Sequence, residues 1–296
     1  MKDSISPLDG RYSSYVEELL PFFSEKALMR YRVMIEIEYL IALSKEKKFD
    51  GLPKFTKKQE ASYRNIYLKF NSISADKIKK IERQTNHDVK AVEYYIRSKV
   101  NKSIHPWVHF ALTSEDVNNL SYTLMWKDAL NKIYIPQLKS LLSELNLLSR
   151  KYSNSPMLSM THGQAATPTT FGKEIKVFAK RIERQIDGIN KHKLLGKFGG
   201  ATGTWSTHTV VYPNINWILF AKNYIKSLNL DPNIVTTQIE PHDSISESYH
   251  QLVRINSILT DLCRDFWYYI SRGILIQKKI KGEIGSSAMP LSLIHI

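Results

Sequence analysis

Residues 171–190 read FGKEIKVFAKRIERQIDGIN, and in that run Phe171, Ile175, Phe178, Ile182, Ile186 and Ile189 recur at three- and four-residue intervals with charged residues between them. Side chains return to one direction about every 3.6 residues only in an α-helix, so the run predicts a long helix with a single apolar face. The same stripe appears on both sides of it. Val117, Leu120 and Leu124 follow Thr113-Ser114-Glu115-Asp116, whose hydroxyls and carboxylates suit a helix start. Pro136 should kink or interrupt that helix, and Leu138, Leu141, Leu142, Leu145 and Leu148 then resume the stripe. From Ser244 to about Gly273 it returns as Ile245, Leu252, Ile255, Leu259, Leu262, Phe266 and Tyr269. Three long helices with wide apolar faces predict an all-α helical bundle. They are scaffold; the chemistry should lie in the polar segments at their ends.

Shorter helices precede residue 113. Glu25 to Lys48 carries Leu28, Ile35, Leu40 and Ile41 among charges, and Thr56-x-x-Gln59 has the form of a capping box. Ile78 and Ile81, then Val89, Val92, Ile96 and Val100, mark two short amphipathic helices, with Asp88 as a cap for the second. The expected domain boundary lies just before Thr113, giving a helical N-terminal domain over 1–112.

The chain has 296 residues, 43% of them hydrophobic, which is enough for a sizeable core. No apolar run reaches the ~18–20 residues that span a bilayer. The start, Met1-Lys2-Asp3-Ser4, lacks the apolar stretch of a secretory signal. Cys263 is the single cysteine, rules out an internal disulfide, and falls in an apolar helical pattern that predicts a core position. Together these features predict a cytoplasmic protein. The formal charge is +14, but the lysines are dispersed and no tract interleaves dense arginine with aromatics, which argues against a nucleic-acid partner.

Five polar segments can carry chemistry. Thr161-His162-Gly163-Gln164 lies in a loop at 153–169 before a long helix, where a histidine can exchange protons near neutral pH, although a lone histidine by itself reads first as structural or surface. In Thr85-Asn86-His87-Asp88-Val89-Lys90, His87-Asp88 reads equally as a helix cap and as a pair that orients a carboxylate or phosphate at a helix N-terminus. Thr236-Thr237-Gln238-Ile239-Glu240-Pro241-His242-Asp243 precedes another long helix; His242 and His250 are too far apart to share a helix face, and no zinc-type spacing occurs. Gly196-Lys197-Phe198-Gly199-Gly200-Ala201-Thr202-Gly203 lacks the preceding strand and the Gly-Lys-Ser/Thr ending of a phosphate loop, and reads as a flexible connection or a substrate-facing turn. By composition alone Gly282-Glu283-Ile284-Gly285-Ser286-Ser287-Ala288-Met289-Pro290 reads as a flexible linker, though its small residues would also leave free amides and two hydroxyls for an anionic substrate. A serine there becomes a base only if its surroundings stabilise the alkoxide.

Read in order, these segments carry a resemblance. Gly285-Ser286-Ser287-x-Met289-Pro290, Thr113-Ser114-Glu115-Asp116-Val117-Asn118-Asn119 and Thr161-His162-Gly163-Gln164 resemble blocks of the fumarase/aspartase superfamily. Pro7-Leu8-Asp9-Gly10-Arg11-Tyr12, residues 85–94 and residues 236–243 are similar to the bacterial-type adenylosuccinate lyase family. The resemblance runs from about residue 5 to residue 290. It implies an all-α, fumarase/aspartase-like long-helix bundle with a small helical N-terminal domain (1–112) and a central bundle domain over 113–290, assembled as a homotetramer. It also implies elimination of fumarate from succinylated purine nucleotides, with no metal or organic cofactor and no nucleic-acid or membrane partner. By resemblance Ser286 is the base and His162 the acid, and Arg11, Tyr12, Asn86, His87, Asp88, Thr113, Ser114 and Gln238 bind substrate. The rival readings are another lyase of the superfamily, such as argininosuccinate lyase, and a non-catalytic helical assembly or nucleic-acid-binding protein.

Two departures from the family pattern stand out. Ala165 occupies the place of a proline in His-Gly-Gln-Pro. After Pro290, the residues 291–296 read LSLIHI where the family carries a lysine and an asparagine for a substrate carboxylate. The expectation from the sequence is therefore a C-terminally truncated chain with an atypical tail, an incomplete bundle and little or no activity alone.

Overall fold

Helix α2 (Glu25–Lys45) runs through the centre of a first compact unit, and Tyr31, Val33, Ile35, Ile37, Tyr39, Leu40, Ile41 and Leu43 on it are all buried. Burial on nearly every side is what a helix without a polar face requires. The Ser24 side chain opens it by accepting from Ala27 N at 3.1 Å. The computed structural model describes residues 5–276. Its first unit comprises residues up to 137 together with 193–247, and its second comprises 138–192 together with the residues from 248 on.

In the first unit α1 (Leu20–Phe23) leads into α2, and α3 (Lys57–Leu68), α4 (Ser72–Thr85), α5 (Asp88–Arg97) and α6 (Ser114–Ala129) follow. The Thr56/Gln59 capping box forms as expected, with Gln59 N donating to Thr56 Oγ1 at 3.2 Å and Thr56 N to Gln59 Oε1 at 2.9 Å. α4 ends on Asn86, whose φ of +49° is a conformation that asparagine tolerates better than most residues. After α6 the chain widens into a π-helical turn at Leu130–Tyr134 before α7 (Ile135–Lys151). Pro136, which has no N–H and crowds the carbonyl four residues back, stands just beyond the widened turn and the helix runs on. The interruption predicted at the proline is thus an adjustment ahead of it.

α2 and α6, from either side of residue 112, share one core with α10 (Trp217–Ser227). The Tyr39, Phe198 and Tyr224 rings meet edge to face there, with centroids 5.4–5.9 Å apart. Short helix α9 (Ser206–Val211) contributes His208 to the same core.

In the second unit the segment expected to be a loop is an antiparallel hairpin. β1 (Pro156–Thr161) pairs with β2 (Gln164–Thr170) from Pro156 opposite Thr170 to Thr161 opposite Gln164, with an irregularity between Leu158 and Met160. Its residues are mostly exposed or half-buried, so no apolar alternation marks the strands in the sequence. Thr170 caps α8 (Phe171–Lys191) by accepting from Lys173 N at 3.2 Å. The stripe of α8 is buried as predicted. Gly172 lets α7 approach closely: a Cβ there would sit 2.3 Å from Ser149 O. Arg181 of α8 pairs with Asp261 of α11 (Asp243–Ser271) at 2.9 Å. Cys263, expected in the core, is exposed on α11, because the buried face passes through Leu262 and Tyr269 instead.

Candidate active site

Three polar segments far apart in sequence meet at the start of α6. Gln238 Nε2 donates to Thr113 Oγ1 at 3.3 Å, joining two of the residues singled out for substrate. Asp116, at the third position of α6, reaches back to accept from Thr113 N at 2.9 Å. The same carboxylate accepts from Gly199 N at 3.0 Å and Gly200 N at 3.1 Å. Lys197 Nζ lies 2.8 Å from Asp116 Oδ1, and the two side chains are 0% and 1% exposed. Nζ also donates to Gln238 O at 2.6 Å and Gly200 O at 3.1 Å. Asn119 completes the join: its Oδ1 accepts from Lys197 N at 2.8 Å and its Nδ2 donates to Lys197 O at 3.0 Å.

Residues 196–200 are therefore no flexible connection. They are buried, and β3 (Leu195–Gly196) pairs in parallel with β4 (Asp231–Pro232). The backbone polar groups of a Gly-rich stretch can be buried only when each finds a partner, and here Asp116 and Asn119 supply them. Gly203 has φ +75°, and a Cβ on it would lie 2.2 Å from Thr236 O, so the backbone approaches the 236–238 segment as no larger residue would allow.

The 236–243 segment is held from its other end as well. His242, at φ +61°, has Nδ1 3.4 Å from Glu240 Oε2 and Nε2 3.7 Å from Glu115 Oε1. Glu240 is buried and accepts from Asn233 Nδ2 at 2.9 Å. Burial raises the Glu115 pKa above its ordinary value, against the opposing attraction of His242.

Around Asn86, His87 and Asp88 the structure settles one reading and adds a residue. The cap of α5 is His87: its Nδ1 accepts from Lys90 N at 3.1 Å, so Asp88 is not the cap predicted from sequence. Asp88 instead pairs with Arg32 at 2.7 Å. Arg32 is buried on α2 and donates through Nε to Asn118 Oδ1 at 2.9 Å, tying the His87–Asp88 corner to α6. Burial works against the Asp88 charge, but Arg32 and the Val89 N–H outweigh it and hold the carboxyl below its usual pKa. One turn along α2, Glu36 faces His109, with Nδ1 2.5 Å from Oε1. Desolvation opposes the imidazolium, yet the attraction and hydrogen bond of Glu36 prevail and raise the His109 pKa.

Arg11 and Tyr12 are exposed near the N-terminus, the guanidinium 5.5 Å from the tyrosine ring centroid. Ser114 opens α6. His162 belongs to the second unit, where it stands exposed at the tip of the hairpin rather than near a helix start. His162 and Gly163 have φ of +51° and +72°, the requirement of a two-residue turn between twisted strands. Ser286 lies outside the described residues. Among the described residues no group of three or more His, Cys, Asp or Glu side chains forms a metal-binding cluster.

Lys197, Asp116, Arg32 and the Glu36–His109 couple were not singled out from sequence as site residues. Lysine in a Gly-rich run looks solvated until its partner is known, and that partner lies on α6, in a separate part of the sequence.

A lyase family profile matches residues 10–291, and the chain belongs to that family, in keeping with the fumarase/aspartase blocks. Among proteins of similar sequence, an adenylosuccinate lyase of Dictyostelium discoideum is 45% identical over 300 residues, covering 97% of this chain and 64% of that protein. One from Escherichia coli K12 is 42% identical over 292 residues, with the same 97% and 64% coverage. The chain thus spans 64% of the length of these relatives. A fumarate lyase from Mesorhizobium sp. BNC1 superposes with a TM-score of 0.69 at 18% identity, over 86% of this chain and 57% of that one. A β-carboxy-cis,cis-muconate cycloisomerase from Acinetobacter calcoaceticus sp. ADP1 gives 0.67 at 20% identity, over the same 86% and 57%. At such identities the structures establish the helical fold alone.

Proposed function

We propose that the chain provides site residues of a lyase that eliminates fumarate from adenylosuccinate, giving AMP, and from succinylated aminoimidazole carboxamide ribotide. The observation that carries the reading is the meeting of Thr113 and Gln238, residues from two separate family blocks, on one hydrogen bond at the head of α6. Relatives called adenylosuccinate lyases, matched across 97% of the chain, support the choice of substrate.

In this reading a base takes a proton from the succinyl carbon next to a carboxylate, and the charge spreads into that carboxylate. Stabilising the resulting anion is the demanding step. An acid then protonates the departing nitrogen. Ser286 is the proposed base and His162 the proposed acid; the hairpin turn leaves the His162 ring free in solvent to meet a substrate. Thr113, Ser114 and Gln238 offer hydroxyl and amide donors beside a helix N-terminus, which favours anions. Asn86, His87 and Asp88 border the start of α5, which with Arg11 suits the phosphate and carboxylates of the substrate, and Tyr12 is a further proposed substrate-binding residue. The homotetramer, the cytoplasmic setting, the absence of a cofactor and the division at 112/113 belong to the same proposal. Among the described residues no helix is long and apolar enough to cross a membrane.

Calorimetric titration with adenylosuccinate tests the reading. Saturable binding should be weakened by Gln238→Ala and Thr113→Ala and unaffected by Lys222→Ala on α10, and argininosuccinate should not bind. Turnover is read on the chain joined to the remaining segment of one of its relatives, where His162→Asn should keep the hairpin and abolish fumarate release. A folded chain that ignores adenylosuccinate, or an unimpaired His162→Asn enzyme, would overturn the proposal.

A further inference from the structure

The buried pair at the head of α6 is costly as mere scaffold. Two charges taken out of water lose more in desolvation than their attraction returns unless further hydrogen bonds complete them, and apolar side chains of similar size would fill the space at least as stably. Here the further bonds are all to backbone. Asp116 holds Thr113 N, Gly199 N and Gly200 N, while Lys197 holds Gln238 O and Gly200 O. The anion therefore fixes the α6 start and the Gly-rich turn, and the cation fixes the irregular segment that carries Gln238. Apolar residues could not place those groups.

We propose that Lys197 and Asp116 are positioning residues of the lyase site, setting the Gln238 amide on the Thr113 hydroxyl so that both face substrate together. This rests on the reading of Thr113 and Gln238 as substrate-binding residues. The two members act on different segments. Lys197→Met removes the hold on Gln238 O and leaves the three N–H bonds of Asp116 in place. The 236–242 segment is then held by Glu115, which accepts from Glu240 N–H, and by Glu240, which accepts from His242 N at 2.5 Å; with Gln238 O released these bonds open more often, and Gln238 loses its register on Thr113.

The test uses this chain and three variants: Lys197→Met, Asp116→Asn and the double variant. Adenylosuccinate affinity is measured by calorimetry, stability by thermal unfolding, and local opening by amide hydrogen exchange. In Lys197→Met, affinity should fall on the order of tenfold to a hundredfold, as for a misplaced binding group. Exchange at Glu240 and His242 should quicken, while Thr113, Gly199 and Gly200 keep their protection. The double variant, with no unpaired buried charge, should regain stability relative to Lys197→Met but not affinity. If Lys197→Met fails to fold, the double variant decides. Wild-type affinity in Lys197→Met, or affinity that returns together with stability in the double variant, would reduce the pair to scaffold and overturn the proposal. If Gln238→Ala and Thr113→Ala leave binding unchanged, the site reading fails instead. The positioning claim then stands or falls on exchange at Glu240 and His242, and unaltered exchange there refutes it.

Discussion

His208 should make the first unit acid-sensitive by an amount that can be worked out. Its ring is fully buried, with centroids 5.1 Å from Phe198 and 4.8 Å from Trp217. Nε2 sits 3.3 Å from the Tyr39 hydroxyl, and Nδ1 has no hydrogen-bond partner among the described residues. Burial lowers its pKa from the ordinary 6.5 to about 4. The folded pKa lies below the unfolded one, so between these values the unfolded chain binds the extra proton. Stability is full above pH 6.5 and is lost as pH falls towards 4. Each pK unit is worth about 1.4 kcal/mol, so the loss is about 2 kcal/mol at pH 5 and about 3 kcal/mol by pH 4. His208→Phe suits the aromatic surroundings and leaves Tyr39 its bond to Phe110 O at 2.9 Å. Urea titrations from pH 7.5 to 4.5, followed by the fluorescence of buried Trp205 and Trp217, should show wild type losing about 2 kcal/mol more than His208→Phe by pH 5. The raised pKa of His109 acts in a different window: its contribution is full below 6.5 and is lost at higher pH. Parallel curves for wild type and His208→Phe would show that His208 is not the source of the acid sensitivity.

Gly203→Ala combines a φ of +75° with a Cβ 2.2 Å from Thr236 O and should cost about 2 kcal/mol or more, read from thermal unfolding. Arg32→Met leaves Asp88 and Asn118 without their shared partner; a loss of about 2 kcal/mol in urea denaturation is expected, discounted because Asp88 is half exposed. Nuclear magnetic resonance should also show the Asp88 carboxyl pKa rising, and so the stability that this ionised carboxylate supplies above its unfolded pKa shrinking. Glu36→Gln should lower the His109 pKa in an imidazole titration, because the carboxylate is what overcomes desolvation there; an unmoved titration would show that Glu36 is not the source of the shift.

The sequence determined most of what local chemistry can determine. The stripes of α8 and α11, the Thr56/Gln59 box and the polar start of α6 follow from periodicity and capping, which depend on residues a turn or less apart. The polar clusters at 85–90, 113–116 and 236–243 were visible as clusters for the same reason. Tertiary structure decided what each cluster faces. It turned the exposed 156–170 segment into a hairpin without an apolar pattern, and turned Cys263 outward. It also buried Lys197 against Asp116 and ran Arg32 between Asp88 and Asn118. The last two outcomes rest on partners dozens of residues away. A charge can enter the core only where such a partner waits for it, and one chain segment cannot specify where another will lie.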